Sequence, residues 1–196
     1  MRLRHALIVA GLMMPAAAQA QSNSATSSFA VNASVPGSCA VGAPQLAAGR
    51  QINFRGINGT TLQIDQLVDP TTLSTNAASV DVKFDAICTF PHRLKVETQN
   101  NGLWQTSERG AAVPQGFGNA VPYRATATWA DRSVILVADA GVRRIADNSV
   151  FVPGAGMGDI LLRLEIQPGA TNSQANAPLL AGVYGDTIRI TLEPQQ

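Results

Sequence analysis

Several residue classes are scarce in this chain of 196 residues, and each shortage excludes a class of function. The chain has two cysteines and two histidines, and aromatic residues make up only 5% of it. Charged residues account for 14%, against about 25% in an ordinary soluble domain. Beyond residue 20, no apolar run approaches the ~20 residues that a membrane-spanning helix needs. We therefore expect no membrane span in the processed protein.

The shortage of histidine argues against an enzyme. His92 is the one histidine after residue 20, and no Gly-x-Ser-x-Gly nucleophile motif is present. Asp81 and Asp85 could supply paired carboxylates, but they alternate on what we expect to be the solvent face of one strand. The few aromatic residues also weaken the case for stacking against sugars. We expect no catalytic residues and no enzymatic activity.

The first twenty residues have the pattern of a secretory signal peptide. Arg2 and Arg4 precede an apolar run at residues 6–14, and Ala18-Gln19-Ala20 supplies the small residues of a cleavage site. Removing residues 1–20 leaves 176 residues, enough for one domain, with 12 basic and 13 acidic side chains. This balance provides no positive charge excess for nucleic acid or anionic lipid. We expect an exported protein that passes through the periplasm.

Two cysteines in an exported chain favour a disulfide. Cys39 and Cys88 are an even pair in a protein predicted to reach an oxidising compartment, so we expect them to be bonded to each other. A zinc site is not expected, because structural zinc needs four ligands and His92 is the only further candidate. We predict no metal and no cofactor.

Alternation of apolar and polar residues predicts seven or more short β-strands and no helix after the signal. The alternating segments are residues 29–35, 51–54, 78–88, 94–98, 123–129, 160–166 and 187–192, and residues 134–137 form a short apolar run. In the last segment Ile188, Ile190 and Leu192 are expected to face inward. Residues 78–88 and 94–98 are predicted to be neighbouring strands, and residues 61–69 fit either a strand or a helical turn. The composition predicts an all-β sandwich with antiparallel pairing.

The segment that precedes Cys39 has two interpretations. Phe29, Val31, Ala33 and Val35 occupy every second position, so an extended chain would present them on one edge. Pro36 and Gly37 end the run, and a polar leader, residues 21–28, precedes it. The pattern alone allows either a first strand within its own domain or a strand that a neighbouring subunit takes up.

Five features together resemble the spore coat protein U family, which includes subunits of archaic, Csu-type chaperone-usher pili. They are the signal peptide, the alternating run before Cys39, Ile52-Asn53-Phe54, the strand that ends at Cys88, and Ala181-Gly182-Val183-Tyr184-Gly185-Asp186-Thr187 near the end. The last of these is the most specific. The resemblance covers the whole chain after the signal.

The resemblance implies a fold and a division of the chain. It implies an incomplete immunoglobulin-like β-sandwich of pilin type, which lacks its last strand and carries an N-terminal donor strand. Residues 1–20 would be the signal, residues 21–38 the extension with the donor strand, and residues 39–196 the pilin domain. Phe29, Val31, Ala33 and Val35 would be the donor side chains. Ile188, Ile190 and Leu192 would line the vacant groove on the final strand.

The resemblance also implies partners. A periplasmic pilus chaperone would lend a strand first, an outer-membrane usher would export the subunit, and other pilin subunits would then join head to tail. The implied function is that of a structural subunit of a surface fimbria for attachment and biofilm formation. Two alternatives within the same fold are a secreted coat or matrix protein and a carbohydrate-binding module.

Overall fold

The computed structural model describes residues 26–106 and 112–195, so the predicted signal at residues 1–20 lies outside the described residues. The chain divides between Val35 and Pro36 into two units. In the first unit, residues 26–35 have no regular secondary structure. Phe29, Val31 and Val35 are 88%, 82% and 87% exposed. The alternating segment is therefore not assigned to any strand.

The second unit consists of β-strands, with no helix among its described residues. In chain order the strands are β1 (Cys39–Val41), β2 (Gln45–Ile52), β3 (Phe54–Asn58), β4 (Thr61–Ile64), β5 (Ala78–Cys88), β6 (His92–Thr98), β7 (Leu103–Gln105), β8 (Ala120–Val121), β9 (Tyr123–Trp129), β10 (Arg132–Ala138), β11 (Ala146–Val152), β12 (Gly156–Ile166), β13 (Tyr184–Gly185) and β14 (Ile188–Pro194). The prediction of an all-β fold is confirmed.

The larger sheet contains the two longest strands, β5 and β12, side by side. Its order is β1-β5-β12-β9-β10, with β2 also paired to β5, and every pairing is antiparallel. β5 and β12 pair over eleven residues. On the opposite edge of β5, β1 pairs with residues 86–88 and β2 with residues 79–83. Two short strands therefore share one edge of a long one.

The second sheet is smaller and packs its inner face against the first. Its order is β11-β6-β14, again antiparallel. Leu94 and Val96 on β6 are fully buried, and they belong to the same apolar cluster as Val80 on β5 and Ile160 on β12. Alternating apolar residues from two antiparallel sheets thus form one core, which is the arrangement of a β-sandwich.

The expectation that residues 78–88 and 94–98 are neighbouring strands is wrong. β5 belongs to the larger sheet and β6 to the smaller one, so the short connection through Pro91 crosses the core. The alternation of each strand is as predicted, because both face the core from opposite sides. Periodicity identifies which face is buried but does not identify the sheet.

Two shorter elements differ from the sequence prediction. Residues 51–54 are not one strand, because Asn53 has a left-handed backbone (φ 59°) and separates β2 from β3. β3 and β4 form a two-stranded hairpin whose turn contains Gly59 at φ 62°, and residues 61–69 form a strand only as far as Ile64. A third small sheet has the order β13-β7-β8.

In the described part of the chain, no helical segment has the length and apolar character that a membrane crossing requires.

Candidate functional site

The second unit contains an apolar cleft of about 530 Å³ beside β14. The larger sheet contributes Val82 and Phe84 from β5 and Leu162, Leu164 and Ile166 from β12. β14 contributes Ile188 and Ile190, and the β3–β4 hairpin contributes Phe54, Ile57, Leu62 and Ile64. A cleft lined this way presents apolar surface with no protein atoms to cover it, which favours binding of an apolar partner.

β14 forms one side of the cleft as an edge strand. It pairs with β6 on one side only, and among the described residues no backbone hydrogen bond joins it to β1 or β2. An edge strand exposes a row of unpaired N–H and C=O groups, and such a row is a template for another strand. The cleft therefore combines apolar contacts with an available hydrogen-bonding edge.

Asn53 fixes the base of the β3–β4 hairpin. Its side-chain amide donates to the backbone carbonyls of Gln66 (2.9 Å) and Ala77 (3.2 Å), and its Oδ1 accepts from the backbone N–H of Gln66 (2.9 Å). Asparagine tolerates the left-handed backbone that this position requires. One residue thus both ends β2 and holds the hairpin whose apolar face lines the cleft.

Asp186 lies at one end of the cleft and accepts six hydrogen bonds. Its donors are the backbone N–H groups of Asn100 (2.9 Å), Gly102 (3.1 Å) and Thr187 (2.7 Å), the Asn100 amide (3.2 Å), the Tyr123 hydroxyl (2.8 Å) and the Thr98 hydroxyl. These donors come from the last residue of β6 and the turn after it, from β9 and from the residue before β14. Asp186 therefore fixes where β14 begins.

Two tyrosines near this end have raised pKa values. Burial raises the pKa of the Tyr123 hydroxyl, and the negative charge of Asp186 beside it acts in the same direction. Burial also raises the pKa of Tyr184 to about 12. The Tyr184 hydroxyl donates to the backbone carbonyl of Leu180 at 2.7 Å. Both hydroxyls are structural hydrogen-bond donors at neutral pH.

The Cys39–Cys88 disulfide, which the sequence predicted, joins β1 to β5. The two residues are directly opposite in the ladder, and Ser38 and Thr89 continue it, with Thr89 N–H donating to the Ser38 carbonyl at 3.0 Å. The bond fixes the start of β1 against β5 of the larger sheet. β1 also lies close to β14.

His92 lies next to the disulfide and is fully buried. The two cysteine sulfurs and a ring nitrogen of His92 lie within 4.8 Å of one another. The sulfurs are bonded to each other and so are not thiolate ligands. His92 Nδ1 lies 2.7 Å from the Phe90 carbonyl, and its ring stacks at a tilt on Trp129, with centroids 4.8 Å apart. This geometry is that of a packed core histidine.

Asp81 is not a solvent-facing carboxylate, contrary to the sequence expectation. It is only 6% exposed, and Arg163, its cross-strand neighbour on β12, donates to both carboxylate oxygens (2.8 and 3.1 Å). The Arg163 hydrogen bonds hold the pKa of Asp81 below its usual value. Asp85 is exposed. The two carboxylates are therefore in different environments on the same face.

The three residues of the final strand that were predicted to line a groove do not all line the cleft. Ile188 and Ile190 line the cleft, whereas Leu192 is 7% exposed and belongs to the shared core. Sequence reasoning missed the hairpin side chains and the role of Asp186. The Asn58-Gly59 turn between two apolar alternations was an available signal for the hairpin. Asp186 gave only a weak one, a single acidic residue directly before the last strand.

Comparisons of the chain with protein-family models, with curated proteins and with solved structures find no match.

Proposed function

We propose that this chain is a structural subunit of a secreted surface fimbria, assembled by the chaperone-usher route through donor-strand complementation. The observation that carries the proposal is the apolar cleft beside the unpaired edge of β14. In this interpretation the second unit is an immunoglobulin-like pilin domain without its last strand. The fimbria would serve surface attachment and biofilm formation, in keeping with the resemblance to the spore coat protein U family.

The proposed occupant of the cleft is the segment around residues 29–35 of another subunit. This segment has seven residues, and β14 also has seven, so the two match in length as extended strands. Phe29, Val31, Ala33 and Val35 would fall on one face of that strand and enter the cleft. In the described chain these side chains are exposed, and their segment belongs to no strand.

The energetic scale is sufficient for stable assembly. Each large apolar side chain that becomes fully buried contributes about 1.5 to 3 kcal/mol, so Phe29, Val31 and Val35 together contribute several kcal/mol. Backbone hydrogen bonds along β14 would add to this, as in other cases of β-strand addition. A periplasmic chaperone would occupy the cleft until another subunit replaces it, and an outer-membrane usher would catalyse export.

The test is incorporation into fibres of a double variant, Phe29→Asp with Val31→Asp. Two charges on the inserted face cannot be desolvated cheaply, so we expect a chaperone-bound monomer that does not join fibres. The matched control places the same charges on the opposite face, Asn32→Asp with Ser34→Asp, and should incorporate normally. The measurement is the fraction of each variant in sheared surface fibres and in periplasmic chaperone complexes. Normal incorporation of the first variant would refute the donor-strand assignment.

A further inference from the structure

The chain contains two Asn-Gly pairs, and the structure places them in opposite environments. Asn-Gly is the dipeptide most prone to spontaneous deamidation, because glycine lets its backbone nitrogen approach the asparagine side chain. Asn58-Gly59 lies at the tip of the β3–β4 hairpin, and Asn101-Gly102 lies in the turn after β6. We propose that Asn58 is a site of spontaneous deamidation in the folded protein and that Asn101 is protected from it.

The chemistry needs only water. The Gly59 backbone nitrogen attacks Asn58 Cγ and loses its proton, the Cγ–Nδ2 bond breaks, and ammonia leaves with that proton. The resulting five-membered succinimide is then opened by water at one of its two carbonyls, giving aspartate or isoaspartate at position 58. The reaction therefore requires a mobile backbone, an accessible side chain and an unengaged attacking nitrogen.

Asn58 meets these requirements. It is exposed, and in residues 26–106 and 112–195 its side chain makes no hydrogen bond. A Cβ built on Gly59 would have no atom within 4 Å, so the turn has open space for the ring to form. Among the strands of the described ranges, β3 and β4 pair only with each other. The tip, residues 58–60, is exposed and lies at the end opposite the Asn53 hydrogen bonds, so local opening there costs less free energy than at the hairpin base.

Asn101 fails each requirement. It is 1% exposed, its amide donates to Asp139 (2.6 Å) and to the Val142 carbonyl (3.3 Å), and its Oδ1 accepts from the Asp139 N–H (3.2 Å). The attacking nitrogen is also engaged, because the Gly102 N–H donates to the Asp186 carboxylate at 3.1 Å. The reaction at Asn101 must first break this charge-assisted bond, which makes it roughly tenfold or more slower.

The modified residue would alter a wall of the cleft. Thr60 and Thr61, next to the turn, line the cleft together with the apolar face of the hairpin. Deamidation adds a negative charge at the hairpin tip, and isoaspartate lengthens the backbone by one atom within a ladder whose pairing depends on register.

The test is incubation of the full chain at mildly alkaline pH, followed by proteolysis and mass spectrometry of the peptides that carry each Asn-Gly pair. We expect conversion at Asn58, with isoaspartate detected by an isoaspartate methyltransferase, and conversion at Asn101 roughly tenfold or more slower. In urea with the disulfide reduced, the two rates should converge, because only folding distinguishes the sites. Asn58→Gln should remove the isoaspartate signal.

Two results would overturn the proposal. One is equal conversion at the two sites in the folded protein. The other is retention of the Asn58 amide under conditions in which the urea-treated chain converts at both sites.

Discussion

The two lateral edges of the sandwich are built in contrasting ways. At one edge, β10 of the larger sheet continues into β11 of the smaller sheet, and the two strands lie side by side. The Asn148 amide donates to the Ile135 carbonyl at 2.8 Å and satisfies an acceptor on the edge of β10. At the other edge, no backbone hydrogen bond among the described residues joins β14 to β1 or β2, and the apolar cleft lies beside β14.

The difference shows that the open edge is not simply a loosely folded part of the domain. Two strands near this edge are fixed by strong local bonds, β1 by the Cys39–Cys88 disulfide and the start of β14 by Asp186. Proteins usually protect exposed sheet edges with charges, bulges or covering loops. Here one edge carries a side-chain hydrogen bond to the exposed strand, and the other borders an apolar cleft.

Of the changes near the open edge, removing the disulfide should lower the free energy of unfolding most. For Cys39→Ser with Cys88→Ser we expect a loss of about 4 kcal/mol in the free energy of unfolding, the loop-entropy value for a separation of 49 residues. Because the loop-entropy value acts on the unfolded chain, its loss should accelerate exchange through global unfolding everywhere, and loss of the tether on β1 should accelerate residues 39–52 further. Urea unfolding measures the total, and hydrogen exchange compares residues 39–52 with residues 132–152. Equal acceleration in both regions would show that the disulfide supports the whole sandwich.

Removing the Asp186 carboxylate should have the next largest effect. Hydrogen bonds to a charged acceptor contribute about 1.5 to 3 kcal/mol, and several buried donors would lose their partner together, so Asp186→Ala should cost about 3 kcal/mol. The matched variant at the closed edge is Asn148→Ala, which removes one exposed hydrogen bond and should cost about 1 kcal/mol or less. Similar losses in urea unfolding would mean that the start of β14 is not specially anchored.

Alkaline pH should lower the free energy of unfolding through the two tyrosines near the start of β14, by less than the substitutions above. Tyr123 and Tyr184 have folded-state pKa values above their usual 10.0, to about 12 for Tyr184. Above pH 10 the unfolded chain releases these protons first, so the free energy of unfolding falls as pH rises from 10 towards 12, while below pH 10 the tyrosine contribution is fully retained.

Phenylalanine variants separate the contribution of Tyr123 to this pH dependence from that of Tyr184. Urea unfolding between pH 9 and pH 11 should show a shallower decline for Tyr123→Phe and for Tyr184→Phe than for the parent chain. Tyr184 is partly exposed and should have the smaller effect. A decline of unchanged slope in both variants would assign the alkaline sensitivity to other groups.

Sequence periodicity predicted much of this fold because burial in a β-sandwich alternates from residue to residue. The alternation in β5, β6, β9, β12 and β14 identifies their inner faces correctly, and the count and environment of the cysteines predicted the disulfide. The periodicity argument failed at Asn53, where one residue with a left-handed backbone ends a strand. It also failed at Asp81, whose charge is buried because Arg163 on the neighbouring strand binds it.

The sequence by itself determined the all-β class, the inward faces of the long strands and the disulfide, because these depend on local alternation and on residue chemistry. Only the tertiary structure decided that β5 and β6 belong to different sheets, that Ile188 and Ile190 line a cleft while Leu192 is buried in the core, and that Asp186 gathers six donors. The physical reason is that these features depend on which distant segments meet, and a two-residue period carries no information about the partner across the core.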